Sequence, residues 1–104
     1  MSYNLFLDDQ RIPRDCRHYK GDGSPYDTED WVEVHNFKQF YTVIKEKGIP
    51  KLISFDYQLN DEYDGLDCAN FLKFECEETN VKIPTYLVHS SWMGIYEKFK
   101  EILG

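Results

Sequence analysis

Tyr3-Asn4-Leu5-Phe6-Leu7-Asp8-Asp9 is a run of strand length, mostly large and apolar, that stops abruptly on two adjacent carboxylates. Such a run, too short for a helix, reads as a buried strand. The same pattern recurs twice. Leu52-Ile53-Ser54-Phe55 runs into Asp56, and Thr85-Tyr86-Leu87-Val88 runs into His89-Ser90. A shorter strand is read at Trp31-Val32-Glu33-Val34-His35.

Helical periods fall between these strands. Asn36 is a good N-cap, and Phe37, Phe40, Tyr41 and Ile44 recur at helical spacing until Gly48 and Pro50 stop the helix. A second helix is expected over 66–79, with Leu66, Ala69, Leu72 and Cys76 on one face and Asn80 near its end. A third carries Ile95, Phe99, Ile102 and Leu103. Residues 10–30 hold Pro13, Gly21, Gly23, Pro25 and many charges but no helical period, and a connection of that length is expected to be a functional loop over the site. Alternating strands and helices imply an α/β fold with a small open parallel sheet of about four strands and flanking helices. The most apolar runs, 3–7 and 52–56, are expected at the centre of the sheet, within a single domain over residues 1–104.

The chain is 41% hydrophobic and 30% charged, which suits a globular protein, and its 16% of aromatic residues lets a short chain bury a large area. A net charge of −7 argues against coating double-stranded nucleic acid but leaves open a phosphate reached through a metal ion. No apolar run is long enough to span a membrane, and Met1-Ser2-Tyr3-Asn4 shows no signal pattern, so the cytoplasm is the expected location. Cys16, Cys68 and Cys76 show no metal-ligand spacing and read as structural thiols.

In an open parallel sheet, ligands bind beyond the carboxyl ends of the strands. Asp8, Asp9, Asp56, His89 and Ser90 all belong on that rim. Crowded carboxylates repel one another unless a cation lies among them, and oxygen donors favour Mg²⁺ or a similar divalent ion. Asp8, Asp9 and Asp56 are therefore the candidate metal ligands. An aspartate after a strand also commonly makes a turn or caps a helix. Arg11 is placed either to clamp a phosphate or to neutralise Asp8 or Asp9.

Leu7-Asp8-Asp9-Gln10-Arg11-Ile12-Pro13, Ile53-Ser54-Phe55-Asp56, Gly65-Leu66-Asp67-Cys68-Ala69 and Val88-His89-Ser90 together resemble the cyclic-phosphate-processing receiver-like domains of bacteria and phages. These are distant relatives of response-regulator receivers. The resemblance runs from Leu5 to Leu103 and implies a receiver-like (flavodoxin-like) fold with the first helix and fifth strand missing, wound in the strand order 31–35, 3–7, 52–56, 85–89. It implies Mg²⁺ on Asp8 and Asp9, phosphate chemistry at Asp56 and a hydroxyl from Ser90. It also makes His89 the candidate general acid/base, though a hydrogen-bonded, half-buried histidine is the other reading. The implied function is metal-dependent processing of a cyclic phosphate or related phosphoester on a nucleotide or RNA end, a possible phosphoesterase. Tyr57-Gln58 stands where the family usually has His-Asp. That supports the alternative, a receiver-like module that binds a nucleotide or protein partner without turnover.

The remaining expectations are more ordinary. His18 and His35 face solvent, and Asp61, Glu62 and Asp64 form a solvated loop rather than a calcium loop. Asp67 caps the helix that follows it. Trp92 anchors the last helix or stacks on a base, and Tyr19, Tyr26 and Trp31 are candidates for a nucleotide-stacking lid.

Overall fold

A computed structural model describes residues 2–19, 25–28, 30–90 and 92–104. The elements run β1 (Asn4–Leu7), a 3-10 helix (Pro13–Tyr19), α1 (Pro25–Thr28), β2 (Val32–Val34), α2 (Phe37–Lys47), β3 (Leu52–Phe55), α3 (Gly65–Thr79), β4 (Thr85–Val88) and α4 (Ile95–Leu103). The sheet has the order β2-β1-β3-β4 with every pair parallel, as expected from the strand–helix alternation. The fold is receiver-like, with three longer helices. Among the described residues, no helix is long and apolar enough to cross a membrane.

Side chains alternate across a strand, so each strand serves two faces. Leu5, Leu7, Val34, Ile53 and Phe55 join the cluster formed with Phe40 and Ile44 of α2, Leu72 of α3 and Phe99 of α4. Phe55 and Phe99 lie 4.9 Å apart at their ring centres. Phe6 points the other way and packs with Cys16 and Tyr26, with Trp31 and Leu87 at the margin.

This second face corrects one expectation. The described parts of the 10–30 connection include a 3-10 helix and the single turn α1, and they place Cys16 and Tyr26 against the second face rather than over the cleft. Tyr26 and Trp31 stack at 5.7 Å, and Tyr26 meets Phe6 edge-on at 6.1 Å. Among the described residues between β1 and β2 there is no helix of ordinary length, and Cys16 and Tyr26 supply the cover of Phe6. A 3-10 turn has no 3.6-residue period, which is why no helix was legible there. Ser91 and the side chains of His18 and Tyr19 lie outside the described residues.

Local signals set the longer helices. The Asn36 side chain accepts from the Gln39 N–H to cap α2. The α3 cap is Asp64 rather than Asp67: Asp64 accepts from the Leu66 and Asp67 N–H groups, while Asp67 accepts from the Asp64 N–H. This reciprocal capping box starts the helix at Gly65, one residue earlier than expected. Gly65 is a place where only glycine fits, because a Cβ there would lie 1.8 Å from the Asp56 carbonyl oxygen. The start of α3 is thereby drawn against the loop that leaves β3.

Candidate functional site

The sheet ladder itself fixes the rim. The N–H groups of Asp8, Asp56 and His89 donate at 3.0 Å to Val34, Leu7 and Phe55 carbonyls, extending the ladder by one residue beyond β1, β3 and β4. By alternation all three side chains point to the second face. Asp8 and Asp56 open onto a cleft of about 680 Å³ whose lining also includes Asp9, Arg11, Ser90 and Trp92, while His89 lies beneath it.

Asp8 is buried, and each of its oxygens takes two donors. Oδ1 accepts from the Gln10 and Arg11 backbone N–H groups, both at 2.8 Å. Oδ2 accepts from Arg11 Nε at 2.9 Å and from His89 Nε2 at 3.0 Å. Burial alone would raise its pKa, but the His89 bond and the two backbone N–H bonds outweigh it and hold the carboxyl at about 2. Four donors use the acceptor capacity of one carboxylate.

Asp56 goes the other way. Burial first, then the charge of Asp8, push it up to about 6, against the Tyr57 N–H and Arg11. Its described hydrogen bonds fall on Oδ1, from Tyr57 N–H at 2.8 Å and from Arg11 Nη2 at 3.5 Å. Arg11 thus bridges the two carboxylates, so the clamp and the neutralising roles coincide in one side chain.

Ligand atoms of Asp8, Asp9 and Asp56 lie within 4.8 Å of one another. Since the four donors on Asp8 are already in place, a cation in this cleft finds its open oxygens on half-buried Asp9 and on Asp56 Oδ2. Mg²⁺ commonly takes one or two carboxylates and keeps waters and substrate oxygens around it, so this donor set fits. Asp8, expected as a direct ligand, lies in the same group, with both of its oxygens hydrogen-bonded within the protein. Ser90 lines the same cleft and is half-buried.

Of the two readings of His89, the hydrogen-bonded one describes its surroundings, with deeper burial than expected. It is 0% exposed, stacked on Phe6 at 4.5 Å, and both ring nitrogens are bonded within the protein. Burial lowers its pKa against the opposing pull of Asp8. Among the described residues, the cleft lining contains no histidine. The Nε2 of His89 is directed at Asp8 rather than at the open cleft. Sequence reasoning also missed what stands behind it: Ser54 Oγ lies 2.6 Å from His89 Nδ1, and Tyr26 Oη lies 2.7 Å from Ser54 Oγ. A serine inside an apolar strand was the available signal, since a buried hydroxyl requires a partner.

Trp92 is not a buried anchor. It is 54% exposed and meets Tyr57 edge-on at 5.6 Å on the cleft wall. His35 is exposed but pinned, its Nδ1 donating to the Asp8 carbonyl at 2.9 Å. Asp61 accepts from the Phe37 N–H at the start of α2, and with Asp64 capping α3 these acids serve helix ends. All three cysteines are free and buried, and burial pushes each thiol up, Cys16 to about 11, so they are unreactive at neutral pH.

No curated protein matches the sequence. A solved structure of a fusion carrying the yeast Spc42 trimeric coiled coil is similar, with a TM-score of 0.61 and 13% identity. The match covers 100% of this chain and 64% of that one, so this chain spans under two thirds of its length, and the likeness shows the fold alone. The sequence matches the family of cyclic-phosphate processing receiver domains over residues 3–103, and with the strand ends and acidic cleft in place, the chain belongs to that family.

Proposed function

We propose that the cleft binds a phosphate-bearing nucleotide and opens a cyclic phosphate ester with the help of a divalent cation held by Asp9 and Asp56. The observation that carries this reading is the pairing of open carboxylates with one guanidinium at a cleft mouth. A bound Mg²⁺ would supply charge neutralisation at the phosphoryl oxygens. Arg11, anchored through Nε on Asp8, keeps its terminal nitrogens at the cleft, where they meet phosphate oxygens. The Ser90 hydroxyl is within the lining and donates to a phosphoryl oxygen. The Asp9 oxygen that the cation would leave free takes a proton from the attacking water as the new O–P bond forms. The ring P–O bond breaks, and that proton passes to the departing oxygen, which closes the balance. Tyr57 and Trp92 offer aromatic surface for the base. The chain works, on this reading, in the cytoplasm.

A second reading is favoured by one observation, the absence of a cleft histidine among the described residues together with Tyr57-Gln58. It is a module that binds the nucleotide without turning it over. The deciding experiment is a panel of 2′,3′-cyclic nucleotides and cyclic dinucleotides, scored for binding and ring opening with and without Mg²⁺. Ring opening that needs Mg²⁺ and is lost in Asp56→Asn supports the enzyme. Tight binding with no product supports the module, and neither binding nor product refutes both.

A further inference from the structure

Behind Asp8 lies an unbroken line of polar groups that crosses beneath the sheet rim. It runs from Tyr26 Oη to Ser54 Oγ at 2.7 Å, from Ser54 Oγ to His89 Nδ1 at 2.6 Å, and from His89 Nε2 to Asp8 Oδ2 at 3.0 Å. All four residues are buried. The line begins on the segment that covers the second face and ends at the cleft, so it joins the two parts of the molecule that the apolar packing keeps apart.

The direction of every bond follows from its ends. Asp8 Oδ2 already faces the Arg11 guanidinium at 2.9 Å. A doubly protonated His89 would add a second full positive charge on the same oxygen at a place with 0% exposure. The ring is therefore neutral, and its one proton belongs on Nε2, because an ionised carboxylate only accepts. Nδ1 is then a bare acceptor and must be met by the Ser54 O–H. That spends the only proton of Ser54, and so the Tyr26 O–H donates to Ser54. We propose that His89, Ser54 and Tyr26 are positioning residues, a one-way hydrogen-bond chain that fixes the Asp8 carboxylate and, through it, the Arg11 guanidinium at the cleft. Successive bonds in such a chain polarise one another. The consequence for cation binding rests on the reading of the cleft given above; the chain itself does not.

The test begins with the ion-free protein labelled with ¹⁵N in its histidines. The expected His89 spectrum is that of a neutral ring carrying its proton on Nε2, with Nδ1 shifted as a hydrogen-bond acceptor. Ser54→Ala should move the Nδ1 signal toward that of an unbonded nitrogen. Tyr26→Phe, which keeps the ring that meets His89 edge-on at 6.2 Å, should move it the same way by less. A proton on Nδ1, a doubly protonated ring, or an Nδ1 signal indifferent to both variants overturns the proposal. Affinity for Mn²⁺ alone is the second readout. Loss of a group that orients a metal-site carboxylate typically costs ~10–100-fold, and Asp8 stands one step from the open oxygens, so His89→Phe should cost about tenfold. His89→Gln keeps an N–H for Asp8 and should restore affinity to within about threefold of the wild type. Equal losses in the Phe and Gln variants overturn the positioning role. No Mn²⁺ binding by the wild type refutes the cation reading of the cleft, while the ring spectrum still decides the chain.

Discussion

Replacing Asp56 with Asn should make the protein more stable at neutral pH and inactive at its cleft. Folding raises this carboxyl from an ordinary 3.8 to about 6, chiefly through burial and the charge of Asp8. The folded chain thus holds the proton more tightly than the unfolded chain does. Its stabilising effect is complete below about pH 4 and is lost as pH rises through 6. Two units at ~1.4 kcal/mol each put the cost of the ionised group at about 3 kcal/mol above pH 7. Asn keeps an oxygen for the Tyr57 N–H, and the pull of Arg11 at 3.5 Å is already contained in the rise to about 6. The gain is about 3 kcal/mol, or roughly 12 °C in melting temperature for a chain of this size. Urea unfolding of both proteins at pH 4 and pH 8 measures it. The two curves should nearly coincide at pH 4 and separate at pH 8, with Asn the more stable. An Asn variant less stable at pH 8 would show that Arg11 and its surroundings stabilise the ionised form, and the argument would fail.

Added Mg²⁺ should raise the melting temperature of the wild type but not of Asp56→Asn, since a ligand bound only by the folded state stabilises by ~2.7 kcal/mol at a hundred times its Kd; equal shifts in both would remove Asp56 from the cation site. Gly65→Ala forces a Cβ to 1.8 Å from the Asp56 carbonyl, so the start of α3 must move and stability should drop by ~3 kcal/mol in chemical unfolding. Trp92→Ala, at a side chain 54% exposed, should leave stability within ~0.5 kcal/mol. The same variant should weaken nucleotide binding by ~1–3 kcal/mol in calorimetry while leaving inorganic phosphate binding unchanged.

The half of the molecule legible from sequence is the half built on one periodic signal. Leu5, Leu7, Ile53 and Phe55 sit in short apolar runs, and Phe40, Ile44, Leu72 and Phe99 fall in helical stretches, so the first face followed, while the strand order came from the apolar central runs and the receiver-like resemblance. The rim was legible for the same reason, because Asp8, Asp56 and His89 end those strands. The second face was not. Its apolar cover comes from Cys16, Tyr26 and Trp31, three residues scattered through a charged segment with no period to tie them together. Missing that cover meant missing how deeply His89 is sealed under it, so a ring that ends a strand at the rim was left between a general acid/base and a half-buried, hydrogen-bonded histidine. Trp92 failed in the opposite sense: its size suggested burial, and only the geometry of the loop before α4 exposes it.

Asp8 and Asp56 end neighbouring strands, share a partner in Arg11, and yet move in opposite directions, to about 2 and about 6. The difference lies in what each strand end receives. The turn after β1 folds the Gln10 and Arg11 N–H groups back onto Asp8, and the covered second face adds His89, so burial there is fully compensated. The chain leaving β3 returns a single N–H, from Tyr57, because it must run on to meet the capped start of α3 at Gly65. Asp56 is left with burial, a like charge one strand away and an oxygen without a described donor. Two carboxyls pushed apart by their surroundings are suited to different tasks. A saturated carboxylate holds a guanidinium in place and does little else, whereas an under-bonded one gains most from meeting a cation or a proton. The division of labour in the cleft is therefore set by the two turns that follow β1 and β3, more than by the identity of the aspartates themselves.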